Sequence, residues 1–366
     1  MNKRFFSMLL VLLLTLSTLC GCGGLTLADG NPTNEDTQTA NGFLESSFAV
    51  HFIDVGQADA ALVMCSGKTM LIDGGNAEDS NLIYAYLQKH SVTHLDYVVC
   101  THAHEDHVGG LSGALTAATV GKVLCPVTSY DTEVFRNFVT KVEACGSRIT
   151  VPAAGDQFHL GDATVTVLGP VKEYDDTNDT SIVLRIVYGE TSFLFTGDME
   201  SLAEKDLIAS GNTLKSTVLK VGHHGSDSST SYQFLKAVAP KYGVISVGTG
   251  NSYGHPTEIV LSRLRDADVI LYRTDLQGDI ICTSNGTTVA FTTSKGSGIL
   301  TNPTESDRSE SDTGAVTEYS YIGNLNSRLY HTVDCSSLPK EENRIYFITK
   351  EEAESNGYTP CGRCDP

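Results

Sequence analysis

Between residues 102 and 107 the chain reads His102-Ala103-His104-Glu105-Asp106-His107, directly after a strand-like run from Tyr97 to Thr101. Imidazole nitrogens and carboxylate oxygens set so closely are the donors that hold zinc or a similar divalent ion. His102 and His104 project the same way from an extended segment, whereas Asp106 and His107 turn toward a neighbouring point as a helix begins. One loop can therefore feed two adjacent cations. Two further strand-like runs end in suitable groups: Phe193 to Phe195 leads to Gly197-Asp198, and Val218 to Val221 leads to Gly222-His223-His224-Gly225. Asp198, with two carboxylate oxygens, suits a position between two cations. The fold must bring separate strand ends to one edge.

Short β-branched runs alternate with helix-like stretches around these points. Strands are expected over Phe48 to Val55, Ala60 to Met64, Thr69 to Ile72, Tyr97 to Thr101, Ala163 to Leu168, Thr217 to Val221 and Tyr242 to Val247. Ile182 to Tyr188 and Ser192 to Thr196 read as a hairpin turning at Gly189-Glu190. Helices are expected over Ser80 to Lys89, Tyr232 to Val238 and Thr257 to Arg265. Adjacent hairpins together with strand–helix alternation imply an α/β fold of mixed sheets with helices packed outside.

At these residues the sequence resembles the metallo-β-lactamase superfamily, whose H-x-H-x-D-H loop, later Asp and final His bind two metals in an αββα sandwich. The stretches His51-Phe52-Ile53-Asp54-Val55-Gly56-Gln57-Ala58-Asp59-Ala60, Leu71-Ile72-Asp73-Gly74-Gly75, Gly222-His223-His224-Gly225-Ser226 and Asn251-Ser252-Tyr253-Gly254-His255-Pro256 are similar to the hydrolase domain of ComEC-like competence proteins. The resemblance implies that His102 and His104 hold one metal, that Asp106 and His107 hold the other, and that Asp198 lies between them. It assigns His223 to the second metal and leaves His224 for substrate, with the reverse assignment open. The superfamily's further His for the first metal is missing, because the expected region reads Asp175-Asp176-Thr177-Asn178-Asp179-Thr180. Asn178 or Asp179 stands there instead, which suits an oxygen-preferring ion such as Mn²⁺ as well as zinc. His159 reads as solvated and Cys100 as buried packing.

Two such cations permit hydrolysis by a metal-bridging hydroxide, so no Ser or Cys triad is needed. Asp106, His224 and His255 are the catalytic candidates; Asp73, His224 and His255 are candidates to meet substrate, with Asp59 and Asn76 behind them. The leading expectation is a phosphodiesterase or nuclease. The alternatives are an ester hydrolase like the phosphorylcholine esterases or lactonases, and a surface binding protein without catalysis. Lys and Arg number 25 against 44 Asp and Glu, a formal charge of −19. A broad basic surface gripping duplex nucleic acid is excluded, and a single strand, an oligonucleotide or a small phosphodiester is the easier partner.

At the N-terminus Lys3 and Arg4 precede an apolar run from Phe5 to Leu19 and then Leu19-Cys20-Gly21-Cys22. The run is short for a membrane span. It resembles a bacterial lipobox, which implies cleavage before Cys22, lipid on its sulfur and anchorage at the outer face of the cytoplasmic membrane; Cys20 is the less well matched site. The expected organisation is a signal peptide over 1–22, a tether over 23–46, the hydrolase domain over 47–293, a linker over 294–318 and a small module over 319–366. Fewer than about fifty residues seldom build an adequate core unaided, so the module needs a staple. His331, Cys335, Cys361 and Cys364 offer four donors for a structural zinc. The Gly357-Tyr358-Thr359-Pro360-Cys361-x-x-Cys364 ending resembles Ada-type metal-binding modules; a disulfide between two of the cysteines is the other reading. Cys65, Cys125, Cys145 and Cys282 read as buried thiols.

Overall fold

The computed structural model describes residues 47–296, 298–304, 321–333, 335–340, 343–347, 349–355, 357–364 and 366. The expected lipid-attachment residue Cys22, its alternative Cys20, the tether 23–46 and residues 305–318 of the linker lie outside the described residues.

In chain order the main strands are β1 (Phe48–Phe52), β2 (Ala61–Cys65), β3 (Lys68–Ile72), β4 (His94–Val99), β5 (Thr119–Leu124), β6 (Ile149–Thr150), β7 (Gln157–Leu160), β8 (Ala163–Gly169), β9 (Val183–Tyr188), β10 (Thr191–Phe195), β11 (Val218–Lys220), β12 (Tyr242–Ile245), β13 (Ile270–Arg273), β14 (Ile280–Ser284) and β15 (Val289–Thr293). They form one sheet of order β15-β14-β1-β2-β3-β4-β5-β6 and another of order β13-β12-β11-β10-β9-β8-β7. Within each sheet a run of antiparallel hairpins passes into parallel strands, at β3–β4 in the first and at β10–β11 in the second.

Side-chain alternation with period two sorts each strand between two environments. Phe48, Val50, Phe52, Val63, Met70 and Ile72 from the first sheet meet Val165, Ile186, Phe193, Phe195, Val218 and Val244 from the second in a shared inner core. The intervening Leu62 and Leu71 face outward, onto Ile83 and Leu87 of helix Ser80–Lys89 and onto Phe135 and Phe138 of helix Glu133–Ala144. On the far side Leu194, Leu219 and Ile245 pack on helices Ser201–Ala209, Tyr232–Val238 and Glu258–Asp266. Each of these side chains contributes about 1.5–3 kcal/mol by leaving water. The result is the helix–sheet–sheet–helix sandwich that the sequence implies.

The parallel strands β3, β4, β10, β11 and β12 end at the loops that hold the chemistry. Two loops there interlock at Gly110, where a Cβ would sit 1.8 Å from the carbonyl oxygen of Gly74. Only a residue without a side chain lets the turn after β3 lie against the turn after His107. Among the described residues no helix is long and apolar enough to cross a membrane.

At the C-terminus β16 (Tyr321–Asn324), β17 (Leu329–Thr332), β18 (Arg344–Phe347) and β19 (Thr359–Pro360) make a small sheet of order β18-β16-β17-β19. Its core is small: Tyr330, Phe347, Ala353 and Tyr358. Cys65, Cys125 and Cys282 are buried free thiols, as read from sequence, but Cys145 is exposed. It follows helix Glu133–Ala144, where the chain turns out to solvent, and its thiol reaches the carbonyl of Leu115 at 3.3 Å.

Candidate metal centre

Three loops converge. His102 to His107 follow β4, Asp198 follows β10, and His223 and His224 follow β11. The oxygen or nitrogen atoms offered by Asp106, His107, Asp198 and His224 all lie within 4.8 Å of one another. His107 Nε2 stands 3.3 Å from Asp198 Oδ1 and 3.8 Å from Asp106 Oδ2, and His224 Nε2 stands 3.2 Å from Asp106 Oδ2 and 3.5 Å from Asp198 Oδ2.

The opposite ring nitrogens fix the tautomers. His107 Nδ1–H donates to Asp73 Oδ2 at 2.9 Å, and His224 Nδ1–H donates to the carbonyl of Ser246 at 3.0 Å. Each Nε2 therefore presents a lone pair to the centre. His107 Nε2 and Asp198 Oδ1 are buried and make no hydrogen bond among the described residues. Buried polar atoms are otherwise satisfied in native proteins, so these orphans mark the place of a missing partner. Two imidazoles and two carboxylates form a donor set that fits a divalent cation.

The electrostatics point the same way. Burial opposes charge on His107 and His224, yet the surrounding carboxylates, Asp198 first, outweigh it and raise both well above the ordinary histidine range. Burial likewise works against ionised Asp198, but His107 and His224 hold it well below the usual carboxylate range. Asp106 is lowered to about 2 by the same two rings against the cost of burial. The pocket concentrates negative charge that a cation would neutralise in place of protons.

His102 is fully buried, and burial followed by repulsion from His107 keeps it neutral, well below its ordinary range. Its Nδ1 lies 3.2 Å from Thr101 Oγ1 and 3.5 Å from Ser181 Oγ, while its Nε2 lies 3.1 Å from His104 Nδ1. The two nitrogens converge on one point beside the four-donor group. Asp179, expected to complete this site, is not among the four donors. Its carboxylate Oδ1 instead accepts the N–H of Glu200, the residue before helix Ser201–Ala209. An acid at a helix start neutralises free N–H groups there, and that geometry holds Asp179 in place. Asn178 Nδ2 donates to Glu200 Oε1 at 3.3 Å, and its Oδ1 is buried without a partner.

Of the adjacent His223 and His224 it is His224, the alternative left open, that joins the four-donor group. Both have left-handed backbones, φ 49° and 51°, which are costly for residues with side chains and are held by the surrounding structure. The bend sends His224 inward, 2% exposed at its side chain, and leaves His223 at the mouth, 23% exposed. His223 Nδ1 lies 3.2 Å from Glu200 Oε1 and its Nε2 3.6 Å from Asp198 Oδ2. His224 is thus in the donor group, and His223 lies at its mouth.

Asp73 also changes role. It is 1% exposed and cannot meet a substrate. Its carboxylate accepts Thr101 N–H and Oγ1–H, both at 2.7 Å, as well as the His107 bond. It positions a ligand instead. The His255 ring lies 5.8 Å from that of His223 and 5.7 Å from that of Tyr253. Asn76 caps a short turn, its N–H bound to Asp79 Oδ2, and His159 is exposed on β7, away from the centre. Cys100 is buried with its thiol pushed far up by burial and by Cys125, which makes it inert packing.

In the small module His331, Cys335, Cys361 and Cys364 present donor atoms within 4.8 Å of one another. Among the described residues His331 Nε2 is without a hydrogen-bond partner, and Cys361 Sγ accepts the N–H of Arg363, which leads the causes that lower its thiol to about 7. A thiolate favoured by backbone N–H groups and an orphan imidazole nitrogen fit tetrahedral zinc.

Two family models match the parts of the chain that carry these two donor groups. Residues 53–249 match the model of the metallo-beta-lactamase superfamily, and residues 309–366 match the metal binding domain of Ada. ComE operon protein 3 of Bacillus subtilis is 29% identical over 256 residues, 65% of this chain and 33% of that protein. Competence protein ComA of Neisseria gonorrhoeae is 34% identical over 237 residues, 64% of this chain and 32% of that protein. The chain thus spans about a third of the length of these relatives. Among solved structures, the metallo-beta-lactamase fold protein YhfI from Bacillus subtilis aligns with a TM-score of 0.44 at 12% identity, covering 67% of this chain and 100% of that one. With its sandwich, its converging histidines and carboxylates and a family match over more than half its length, the chain belongs to the metallo-β-lactamase superfamily; it is similar to competence proteins over about two thirds of its length, and residues 309–366 are similar to the metal binding domain of Ada.

Proposed function

We propose that the protein is an exported, lipid-anchored phosphodiesterase that cleaves nucleic acid strands or related phosphodiesters at the cell surface. The reading is carried by the donor group Asp106, His107, Asp198 and His224, with His102 and His104 beside it. Divalent ions held there would supply a nucleophile from water at neutral pH and a counter-charge for the phosphoryl oxygens. The chain's own groups do the rest. Asp73 and the carbonyl of Ser246 hold two ligand rings in the required tautomer, and Thr101 and Ser181 steady His102.

On the open side His223 and His255 face the place a substrate would take. Burial, and then the neighbouring His223 and His224, lower His255 below its ordinary range, so it is neutral near pH 7. A neutral imidazole donates a hydrogen bond to a phosphoryl oxygen better than it donates a proton to a leaving group. This favours a binding role for His255. Beyond it Tyr253, 70% exposed, offers a flat face for a base. Asn251 holds that loop, its Oδ1 accepting the N–H groups of Tyr253 and His255 at 3.2 and 3.0 Å. A stacking face in an acidic protein of charge −19 favours single strands over duplex. The competence names of the relatives favour nucleic acid, and the basic, apolar and Leu19-Cys20-Gly21-Cys22 segments favour export and lipid attachment.

The test is a panel of single-stranded DNA, duplex DNA, RNA and a model bis-ester, each with Mn²⁺ or Zn²⁺ and with chelator. Metal-dependent cleavage of single strands, lost in Asp106→Ala, is expected. Intact substrates throughout would overturn the reading, and cleavage of carboxylic esters alone would replace it with an esterase.

A further inference from the structure

Behind His224, on the side away from the proposed cations, lies a buried ion pair that none of the roles above requires. Lys220 Nζ meets Asp59 Oδ2 at 2.8 Å, and the two side chains are 5% and 7% exposed. The other oxygen, Asp59 Oδ1, faces His224 Nδ1 at 3.3 Å. The backbone ties the same residue into the site twice, since Asp59 N–H donates to the carbonyl of Asp106 and Asp59 O accepts the N–H of Gly75. Lys220 ends β11, four residues before His224, and its ammonium also donates to the carbonyl of Val221 at 3.1 Å. One carboxylate thus touches a ligand ring, a lysine from the strand carrying that ring, and the loop carrying Asp106.

The position decides what such a pair can do. A buried ion pair is weak evidence for stability, because desolvation offsets most of the attraction. Asp59 is not one of the four donors: its Oδ1 lies against His224 Nδ1, the ring nitrogen opposite the one that faces the group, and its Oδ2 is met by Lys220. Asp59, Asp73 and His107 also bring atoms within 4.8 Å of one another, but Asp73 is filled by Thr101 and His107 and Asp59 Oδ2 by an ammonium; Asp59 Oδ1, buried and without a hydrogen bond among the described residues, faces His224 Nδ1. The tautomer of His224 is set by Ser246 as well, so the carboxylate adds something else. A negative charge against Nδ1–H makes the opposite Nε2 a stronger donor to a metal, and partners of this kind are worth about 10–100-fold in metal affinity.

We propose that Asp59 is a positioning residue that strengthens His224 as a metal ligand, and that Lys220 is present to make the buried carboxylate tolerable in the fold. The proposal rests on the reading of the four-donor group as a metal site. The pair divides the work: the lysine bears on stability, the aspartate on affinity.

Asp59→Asn, Lys220→Met and the double variant separate these roles in the full chain. Mn²⁺ is the probe, because the thiolate-rich module prefers softer ions, and free Mn²⁺ is read by electron paramagnetic resonance while thermal unfolding is followed in chelator. Asp59→Asn leaves the ammonium without its counter-charge, and Lys220→Met leaves the carboxylate so; both are expected to melt lower than the parent. The double variant regains most of that stability, yet binds Mn²⁺ about 10–100-fold more weakly than the parent. Asp59→Asn alone shows the same weakened binding. A double variant that binds Mn²⁺ as tightly as the parent overturns the inference while leaving the metal site intact. A parent protein that takes up no Mn²⁺ or Zn²⁺ outside the cysteine module overturns the metal reading itself, and the inference with it.

Discussion

Asp73 is the residue on which removal of one carboxylate has two separable effects. It accepts Thr101 N–H at 2.7 Å, Thr101 Oγ1–H at 2.7 Å and His107 Nδ1–H at 2.9 Å while being 1% exposed. Asp73→Ala strands three buried donors. Each costs about 1–3 kcal/mol when unsatisfied, and water entering the vacated space relieves part of it, so a loss of about 3–5 kcal/mol is expected in the metal-free protein. The second effect is on the metal. Without its anchor the His107 ring can turn and exchange tautomers, which lowers metal affinity about 10–100-fold, or about 1.4–2.7 kcal/mol. Asp73→Asn keeps the size and one oxygen, but its amide N–H groups must face a donor from Thr101 or His107. It should cost the fold less, about 1–3 kcal/mol, and affinity nearly as much as Ala. Urea unfolding in chelator reads the first effect, and Mn²⁺ titration of the folded variant reads the second. An Asp73→Asn protein that folds and binds Mn²⁺ as the parent does would refute the reasoning, since His107 would then not depend on Asp73.

Other consequences are open to direct measurement. His51, lowered to about 4 by burial and then by His90 and Lys89, with Tyr86 Oη 3.0 Å from its Nδ1, binds its proton more readily in the unfolded chain. Its contribution is therefore present above about pH 6.5 and is lost as pH falls toward 4, about 3 kcal/mol in all; in chelator, the pH 7 to pH 4 loss of stability should be smaller by about that amount in His51→Gln. Gly110→Ala places a Cβ 1.8 Å from Gly74 O, and a fall of at least about 2 kcal/mol in urea unfolding is expected; an unchanged midpoint would mean that the two loops separate easily. Tyr253→Ala should cost about 10-fold or more in binding a single-stranded oligonucleotide, with Tyr253→Phe near the parent, and no change with a chain lacking bases. Cys361→Ser should release zinc from the C-terminal module without changing Mn²⁺ uptake at the strand ends.

Much of the sandwich was legible because its strands are short apolar runs bounded by turn residues: β3 and β10 read Met70-Leu71-Ile72 and Phe193-Leu194-Phe195 without alternation, as strands buried on both faces do. The ligand loop after β4 was legible because its spacing has few other uses. Side-chain direction after β11 was not. In a regular strand neighbouring residues point to opposite faces, but two consecutive left-handed residues reverse that parity, so His223 and His224 could only be assigned once the bend was seen. The capping role of Asp179 was hidden for a related reason: helix Ser201–Ala209 begins more than twenty residues later in the chain and reaches it only through the tertiary fold. Asp73 reads as a strand-end acid like Asp198, and nothing local tells that its neighbours Thr101 and His107 enclose it. Helix Glu133–Ala144, by contrast, carries usable signals, with Phe135, Phe138 and Val142 at helical spacing and Thr132 accepting the N–H of Phe135.

Anomalous diffraction from crystals of the full chain grown with Zn²⁺, collected at the zinc edge, tests the central claim most directly. The expected map has a strong peak within coordination distance of Asp106, His107, Asp198 and His224, a neighbouring peak beside His102 and His104, and one among His331, Cys335, Cys361 and Cys364. A map with zinc in the cysteine module and nothing at the ends of β4, β10 and β11 would contradict it.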